Sequence, residues 1–463
     1  MRRAGIIRVC LALGVLLLPT RAWAHARLVR SDPAAGSIVA ASPQLIRLWY
    51  SERPEVSLTF VTLTDATGRK FTLGPVQGGT ANGLELSIPV VDALPAGKYT
   101  VAWRTVAADG HPSQGTFSFA VSGATVGAVP EPQINKAVPP DTLGGAVTSS
   151  SAAGGQTSDE GDSASISNSL ARAFSFIGLL ALIGAVAFRT GVLPRTRGIS
   201  PEVVSTMRAR AASVGVWASI LVVIGACARI LLESRMIAAT LPAGRSMTTS
   251  GMLSHTTWGF ALALQAVLAL VAVVAFAFAA RKIQGAWLVA GLCAIVLGAT
   301  PALAGHAAAT AHFTWFVVAS DFLHVLGAAS WLGSLLCVVV IGLPAVRSLE
   351  EGARWQAVAS LVDAFSPLAL VSAAVVVVSG VIASWVHLDH LSDLWTTSYG
   401  KVLLLKLVLV AATLAVGAHN FRRVQPQLGV EGGPDRLRRS ATFELSLGFV
   451  VVLVTGFLTG IAP

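Results

Sequence analysis

The chain has 463 residues, 54% of them hydrophobic and only 12% charged, with a formal net charge of +10 and a mean hydropathy of +0.70. Soluble domains carry about a quarter charged residues, so this composition excludes an ordinary soluble protein and points to one built largely into a bilayer. The basic residues sit in short clusters between apolar runs, which argues against a nucleic-acid patch and fits the loops of a membrane protein.

Residues 1–24 follow the grammar of a secretory signal peptide: Arg2 and Arg3, an apolar run from Val9 to Leu18, Pro19, then the small-x-small triplet Ala22-Trp23-Ala24. Cleavage after Ala24 makes His25 the first residue of the mature chain. Its free α-amine and ring Nδ1 can chelate one metal ion together, since their pKa values of about 8 and 6.5 let a metal displace both protons near neutrality. Two nitrogens in one chelate suit the tetragonal geometry of Cu(II).

Residues 25–123 read as an all-β module, a sandwich or small Greek-key barrel. Short alternating or β-branched strands are expected at 46–50, 56–64, 70–73, 84–88, 98–106 and 115–121, separated by turn residues such as Asp65-Ala66-Thr67-Gly68. Trp49, Phe60, Trp103, Phe117 and Phe119 are the expected core. Residues 124–169, rich in Pro and then in Gly, Ser and Asp, read as a disordered linker.

Residues 170–463 hold eight apolar runs near the length that crosses about 30 Å of hydrocarbon, placed at 170–188, 211–232, 257–280, 286–304, 314–343, 367–386, 401–419 and 442–462. Alternate connections carry the basic clusters: Arg189, Arg195, Arg197, Arg208 and Arg210; Arg281 and Lys282; Arg347 and Arg354; Arg422, Arg423, Arg436, Arg438 and Arg439. The others carry only Arg235, Arg245 and Lys401. That asymmetry puts the arginine-rich loops in the cytoplasm and the β-module outside it. Cys227, Cys293 and Cys337 stand singly in apolar runs and read as packing residues.

The candidate chemistry gathers at a few positions. Asp109-Gly110-His111-Pro112 lies between two expected strands. Taken alone it is a surface turn; with His25, the one other histidine of the mature β-module, it offers the nitrogen of His111 and an oxygen of Asp109 to complete a Cu(II) site. In the fifth apolar run Asp321 and His324 share one helical face, either as a pair that locks helices or as a metal relay. His306 and His312 precede that run and His387 and His390 follow the next, as interfacial histidines or as a shared receiving site. Met247, Met252 and His255 fall on another outer connection, where they read as loop packing or as soft ligands for Cu(I). His419 stands at the cytoplasmic end of the seventh run, and Glu444 enters the eighth near that face, within reach of an arginine partner.

Two family resemblances lie in these residues. His25-Ala26-x-Leu28-x-x-Ser31-x-Pro33-Ala34-x-Gly36, Leu48-x-Tyr50-Ser51-Glu52 and Asp109-Gly110-His111-Pro112-x-x-Gly115 resemble, in order, the motifs of CopC, the bacterial periplasmic copper-binding protein. The resemblance implies a Greek-key β-barrel with a Cu(II) histidine brace: the His25 amine and Nδ1, then His111, with Asp109 as the weaker oxygen ligand. Glu52 matches a family acid near the metal, as an oxygen ligand or a supporting group; its plainer reading is a solvated charge at a strand end. No Met occurs between residues 25 and 206, a departure from members that carry a methionine-rich Cu(I) site. Asp321-x-x-His324-x-x-x-Ala328-x-x-Trp331-x-Gly333 and Asn420-Phe421-Arg422-Arg423 resemble CopD, the inner-membrane partner, here fused to the first module.

Together these imply a multi-pass protein of the cytoplasmic (inner) membrane that acquires and transports copper rather than catalysing a reaction. A periplasmic domain captures Cu(II) and transfers it into the bundle. The expected partners are the copper ion, the lipid bilayer and a periplasmic copper chaperone or a cuproenzyme recipient, with no nucleic acid. No Walker motif or Asp-Lys-Thr-Gly sequence is present, so ATP is not the expected energy source. The competing reading is a haem- or copper-dependent membrane redox protein, a cupric reductase or an electron carrier.

Overall fold

The computed structural model describes residues 27–79, 83–108, 110, 112–122, 158–240, 248–283, 285–305, 314–388, 390–427 and 433–461. The expected signal peptide, His25, Asp109, His111, Met247, His306 and His312 therefore lie outside the described residues, as do positions 124–157 of the expected linker and the side chain of His387.

The first unit is a sandwich of two sheets. One has the strand order β1-β3-β7-β6, with β1 Leu28–Asp32, β3 Leu45–Tyr50, β6 Gln77–Gly78 and β7 Glu85–Pro89. The other runs β2-β9-β8-β4-β5, with β2 Ile38–Val39, β4 Phe60–Asp65, β5 Lys70–Phe71, β8 Gly97–Val106 and β9 Pro112–Val121. Pairing is antiparallel except for β2 on β9. Residues 56–58, expected at the start of a strand, form a turn of 3₁₀ helix instead. The core follows from alternation. Ile46, Leu48 and Tyr50 of β3 point inward, against Leu86 and Ile88 of β7 and Val101, Trp103, Phe117 and Phe119 of the facing sheet. A period of two that buries residues 46, 48 and 50 must turn Trp49 outward. Trp49 is accordingly half-buried under the Arg30 guanidinium, 4.5 Å from its ring, and Phe60 is also half-buried. The aromatic core is thus Tyr50 edge-on to Trp103 at 5.3 Å and Tyr99 stacked on Phe119 at 5.7 Å, with Trp49 and Phe60 outside it.

The second unit is a bundle with, among the described residues, eight helices long and apolar enough to cross a membrane: Ile166–Arg195, Pro201–Ala238, Thr257–Ala280, Ala286–Leu303, Thr314–Ala345, Glu351–Val386, Ser398–Val424 and Arg436–Leu458. The first belongs to a helix that starts at Ser158, within the stretch read as linker. The second and sixth extend well past the apolar runs because their flanking polar residues keep helical propensity and continue the same helix. Between lipid-facing helices there is no hydrophobic driving force, so association relies on close packing of small residues. The first span is the hub of that packing. Its Gly184 meets Gly333 of the fifth span backbone to backbone, and a methyl on either glycine would overlap the other span's main chain. Its Gly178 meets Ala218 and Val222 of the second span, and Ser175 fits against Gly225.

Replacing Gly333 with Val should therefore separate the first and fifth spans. Because the obstruction is the Leu180 carbonyl rather than a flexible side chain, the expected cost is at least the ~1–3 kcal/mol of an overpacked core. It should appear as a lower midpoint in thermal unfolding of the detergent-purified protein, whereas Gly352→Val, in open space, should leave the midpoint unchanged.

Candidate metal centre

The β8–β9 hairpin ends in the loop that carries Asp109 and His111. Gly110 there has φ +92°, a left-handed conformation that glycine adopts without strain, and its N–H donates to the Ala107 carbonyl at 2.9 Å. The segment from Arg53 to Glu55 runs alongside, tied by Ala108 N–H to Arg53 O (2.9 Å) and Glu55 N–H to Val106 O (2.7 Å). Just upstream, Ser51 N–H donates to Arg27 O at 2.9 Å and Arg27 N–H returns a bond to Ser51 Oγ at 3.0 Å. Arg27 lies two residues after His25 in the chain, and Glu52 follows Ser51. The described backbone therefore brings the neighbours of His25, Glu52, Asp109 and His111 to one end of the sandwich. Glu52 itself is half-buried and holds a polar partner.

That end of the sandwich is seated on the bundle. Leu58 and Val106 bury against Ile237, Met252, Trp258, Ala261, Leu262 and Ala304, which cap the second to fourth spans. Gly110 lies directly over the Trp258 indole, where an added Cβ would come within 3.3 Å of the ring. The Thr257 N–H, first in its helix, donates to Glu55 Oε1 at 2.8 Å, so a carboxylate from the β-unit caps the third span beside that span's own Thr256 cap. Arg53 Nη2 donates to Thr314 Oγ1 at 3.4 Å and Ser57 Oγ to the His255 carbonyl at 3.4 Å. Burial pushes the Glu55 carboxyl above its ordinary range, with the bonds from Thr257 pulling the other way. Trp258 is wholly buried, yet its indole N–H has no partner among the described residues. Met252 is buried in the same cluster, and His255 is exposed beside it. Of the methionine and histidine candidates on this connection, Met252 and His255 thus lie against the β-unit. Glu55 and Thr257 were not legible as a pair, because their sequence separation of 202 residues carries no periodic signal.

Deeper in the bundle, Asp321 and His324 do share a helical face. Ser379 of the sixth span donates its hydroxyl to the Val375 carbonyl at 2.6 Å, so towards His324 Nδ1, 3.0 Å away, its oxygen acts as the acceptor. A proton on Nδ1 donated to that oxygen would leave the Nε2 lone pair for a ligand. Lys406 of the seventh span interacts electrostatically with both Asp321 and His324, and Tyr399 does so with Asp321. Lys406 escaped the sequence reading because a single lysine in a long leucine- and valine-rich run scarcely alters its hydropathy.

Other candidates are dispersed. His390 is exposed, its N–H held by Asp393 Oδ2 at 2.8 Å. Among the described residues no three His, Cys, Asp or Glu side chains converge as a metal-binding group. Glu444 takes neutral partners rather than an arginine, accepting from Trp331 Nε1 at 3.1 Å and Asn420 Nδ2 at 2.8 Å. Three motif positions, Trp331, Gly333 and Asn420, thereby hold the bundle together. A further buried ion cluster had no sequence signal: Glu233 pairs with Arg229 at 3.2 Å, one turn away, and with Arg172 of the first span at 3.7 Å.

Comparison with known proteins divides the chain in the same way. The family model for the CopC domain matches residues 28–122, that for the copper resistance protein D-like N-terminal domain matches 163–313, and that for copper resistance protein D matches 359–458. The copper transport protein CutJ of Bacillus subtilis (strain 168) is 24% identical over 466 residues, covering 98% of this chain and 77% of CutJ. Protein YobA of Escherichia coli (strain K12) is 34% identical over 119 residues, 26% of this chain and 96% of YobA. The crystal structure of CopC from Methylosinus trichosporium OB3b is 28% identical, covers 22% of this chain and 100% of its own, and has a TM-score of 0.21.

The seating of the β-unit has a pH signature. Because the Glu55 carboxyl is raised when docked, its ionised form is penalised in that state. Docking should strengthen as pH falls through the carboxyl range and weaken as pH rises through the raised value. Hydrogen exchange at the Leu58 and Val106 amides, corrected for intrinsic rate, should follow that trend in the native chain and lose it in Glu55→Gln. Glu55→Ala should reduce protection at every pH, by about 1–2 kcal/mol for a lost helix cap.

Proposed function

The chain belongs to the copper-resistance family that joins a CopC domain to a CopD-type membrane domain, and from that premise we propose that it captures Cu(II) outside the cytoplasmic membrane and hands copper into the bundle for transport. Copper transport is the coarse function that this membership supports. The finer reading concerns where the ion sits and which way it goes.

The observation that carries it is the coincidence of two ends. The end of the sandwich to which the neighbours of His25, Glu52, Asp109 and His111 converge is the end seated on Trp258 and Met252. In the proposed capture site the His25 amine and Nδ1 and the His111 imidazole are the in-plane nitrogens, with Asp109 as oxygen ligand and Glu52 nearby. This donor set is hard to borderline and suits Cu(II). Met252, with Met247 and His255 on the same connection, offers the softer thioether and imidazole that suit Cu(I). Beyond the interface, Asp321 and His324 are proposed as the path through the bundle, with His306, His312, His387 and His390 as an outer receiving group.

The β-unit rests on the ends of the second and fourth spans and the starts of the third and fifth, opposite the arginine-rich connections. The positive-inside rule puts that face outside the cytoplasm, which agrees with a cleaved signal peptide at 1–24. A docked β-unit also holds the captured ion at one fixed position over the bundle, a stronger form of effective concentration than a free tether gives.

Copper titration of the purified chain tests the capture site. His111→Ala should weaken Cu(II) binding by about ten-fold or more and change its electron paramagnetic resonance spectrum. Asp109→Ala should weaken it less, since imidazole is the stronger in-plane ligand. Binding should decline as pH falls below about 6.5, where protons compete for the imidazoles. An unchanged spectrum in His111→Ala, or a mature chain that begins at any residue other than His25, would remove the brace from consideration.

A further inference from the structure

The eighth span carries a buried acid that the proposed copper path does not use. Glu444 is 4% exposed, and its site is built from three helices. Trp331 Nε1–H of the fifth span donates to Glu444 Oε1 at 3.1 Å, and Asn420 Nδ2–H, at the end of the seventh, donates to Oε2 at 2.8 Å. Gly417 leaves the carboxyl its room, since a Cβ there would come within 3.3 Å of Oε1. Trp331 and Asn420 each stand in a single turn of π helix, Ala329–Gly333 and Asn420–Val424, a form that recurs at functional sites. The hydrogen bonds continue outward. Ser440 Oγ donates to Asn420 Oδ1, and Ser440 also lines a cavity of about 870 Å³ with His419, Arg423, Arg436 and Arg439. That cavity lies at the arginine-rich end of the bundle, the cytoplasmic end by the positive-inside rule. The first, fifth, seventh and eighth spans pack on one another in this part of the bundle. They carry no other charged side chain or histidine between Arg172 and Arg189, between His324 and Arg347, between Lys406 and His419, or after Glu444; the Cys337 thiol is the one further titratable group there.

We propose that Glu444 is a proton-binding site of the bundle, reached from the cytoplasmic cavity, and that the Asn420 side chain turns over as the proton arrives and leaves. The inference stands apart from the copper path. A side-chain amide has nearly the same shape either way round, so the chain Ser440–Asn420–Glu444 has two fully bonded arrangements. In the first, the carboxylate accepts from Trp331 and Asn420, and Asn420 accepts from Ser440. In the second, Oε2 carries the proton and donates it to Asn420 Oδ1, Nδ2 donates to Ser440 Oγ, and Ser440 turns its own proton to water in the cavity. Trp331 N–H stays on Oε1 throughout. The proton comes from that water; one O–H bond forms and no electron moves. Neither arrangement strands a buried donor or acceptor, which is the cost that otherwise locks a buried acid into one charge. Low dielectric disfavours the carboxylate, and two donated hydrogen bonds favour it. These effects oppose each other, as a site that both takes up and gives up a proton requires. A charged acceptor also holds the Trp331 N–H more firmly than a neutral one, so the proton sets how tightly the fifth span is tied to the eighth.

Infrared difference spectra between low and high pH, taken on the full chain in lipid vesicles without copper, test this. The native chain should show a carboxylic acid C=O band that Glu444→Gln loses. With isotope-labelled asparagine it should also show a side-chain amide band that titrates together with the acid and that Asn420→Ala loses. On rapid transfer to D2O, the isotope shift of the acid band should be slowed several-fold in Ser440→Val and unchanged in Ser446→Val, whose serine is exposed on the same helix outside the cavity lining. A spectrum with no titrating acid band that depends on Glu444 overturns the proposal. So does an acid band that titrates while the asparagine bands stay still, and an exchange rate untouched by Ser440→Val removes the route through the cavity. If Glu444→Gln fails to insert, Glu444→Asp decides. Its shorter side chain must meet Trp331 and Asn420 differently and move the acid band, and a band that stays in place overturns the assignment.

Discussion

The burial of Leu58 and Val106 against Trp258 is the contact on which the arrangement of the two units depends. It places the β8–β9 loop on the bundle, with Gly110 over the indole because no larger residue would fit against the ring without displacing it. Once that apolar seat exists, the polar contacts gain their orientation. Glu55 caps the third span and Arg53 reaches Thr314 at the start of the fifth, both from the one segment that the hairpin end holds in place. The apolar contacts supply attraction without direction, and the carboxylate on a helix N-terminus supplies the register. The bundle's own side of the seat comes from helix ends, which explains why the second span continues as far as Ile237 beyond its apolar run.

Within the bundle the governing constraint is different, because lipid offers neither water for polar groups nor a hydrophobic force between helices. Glycine faces allow Gly184 and Gly333 to meet at backbone distance. Charges survive only with partners: Glu233 between Arg229 and Arg172, Glu444 between Trp331 and Asn420, Asp321 near Lys406 and Tyr399. The first two are enclosed by packed helices and look inward on themselves. The third brings a carboxylate, a phenol, a lysine and an imidazole into one region of the bundle, and it is the one proposed as a path, whereas the other two fasten helices together.

Much of this was legible without coordinates. Composition and the spacing of apolar runs are direct consequences of hydrocarbon thickness, so the eight spans and their order could be counted from the chain. The strand alternation of Ile46, Leu48, Leu86 and Ile88 and the turn residues between strands marked out a β-sandwich. The same alternation, followed strictly, would have put Tyr50 rather than Trp49 in the core, so that error came from ranking residues by size instead of by phase. The Asp321 and His324 pairing on one face was legible for a similar reason, since i and i+3 positions meet in any helix.

What tertiary structure alone decided are the meetings between residues far apart in the chain. Glu55 with Thr257, Gly110 with Trp258, Glu444 with Trp331 and Asn420, and Lys406 with Asp321 each join separate elements. Local periodicity reports which face of an element is apolar, but not which other face will cover it. Hydropathy reports that a lysine is expensive in a span, but not that a carboxylate on another helix interacts with it. The sequence determined the membrane class, the two-unit order and which residues are proposed to bind copper, because these depend on composition and on spacing along one chain. The seat of the β-unit and the partner of each buried charge depend on how helices and sheets pack in space, and only the fold could assign them.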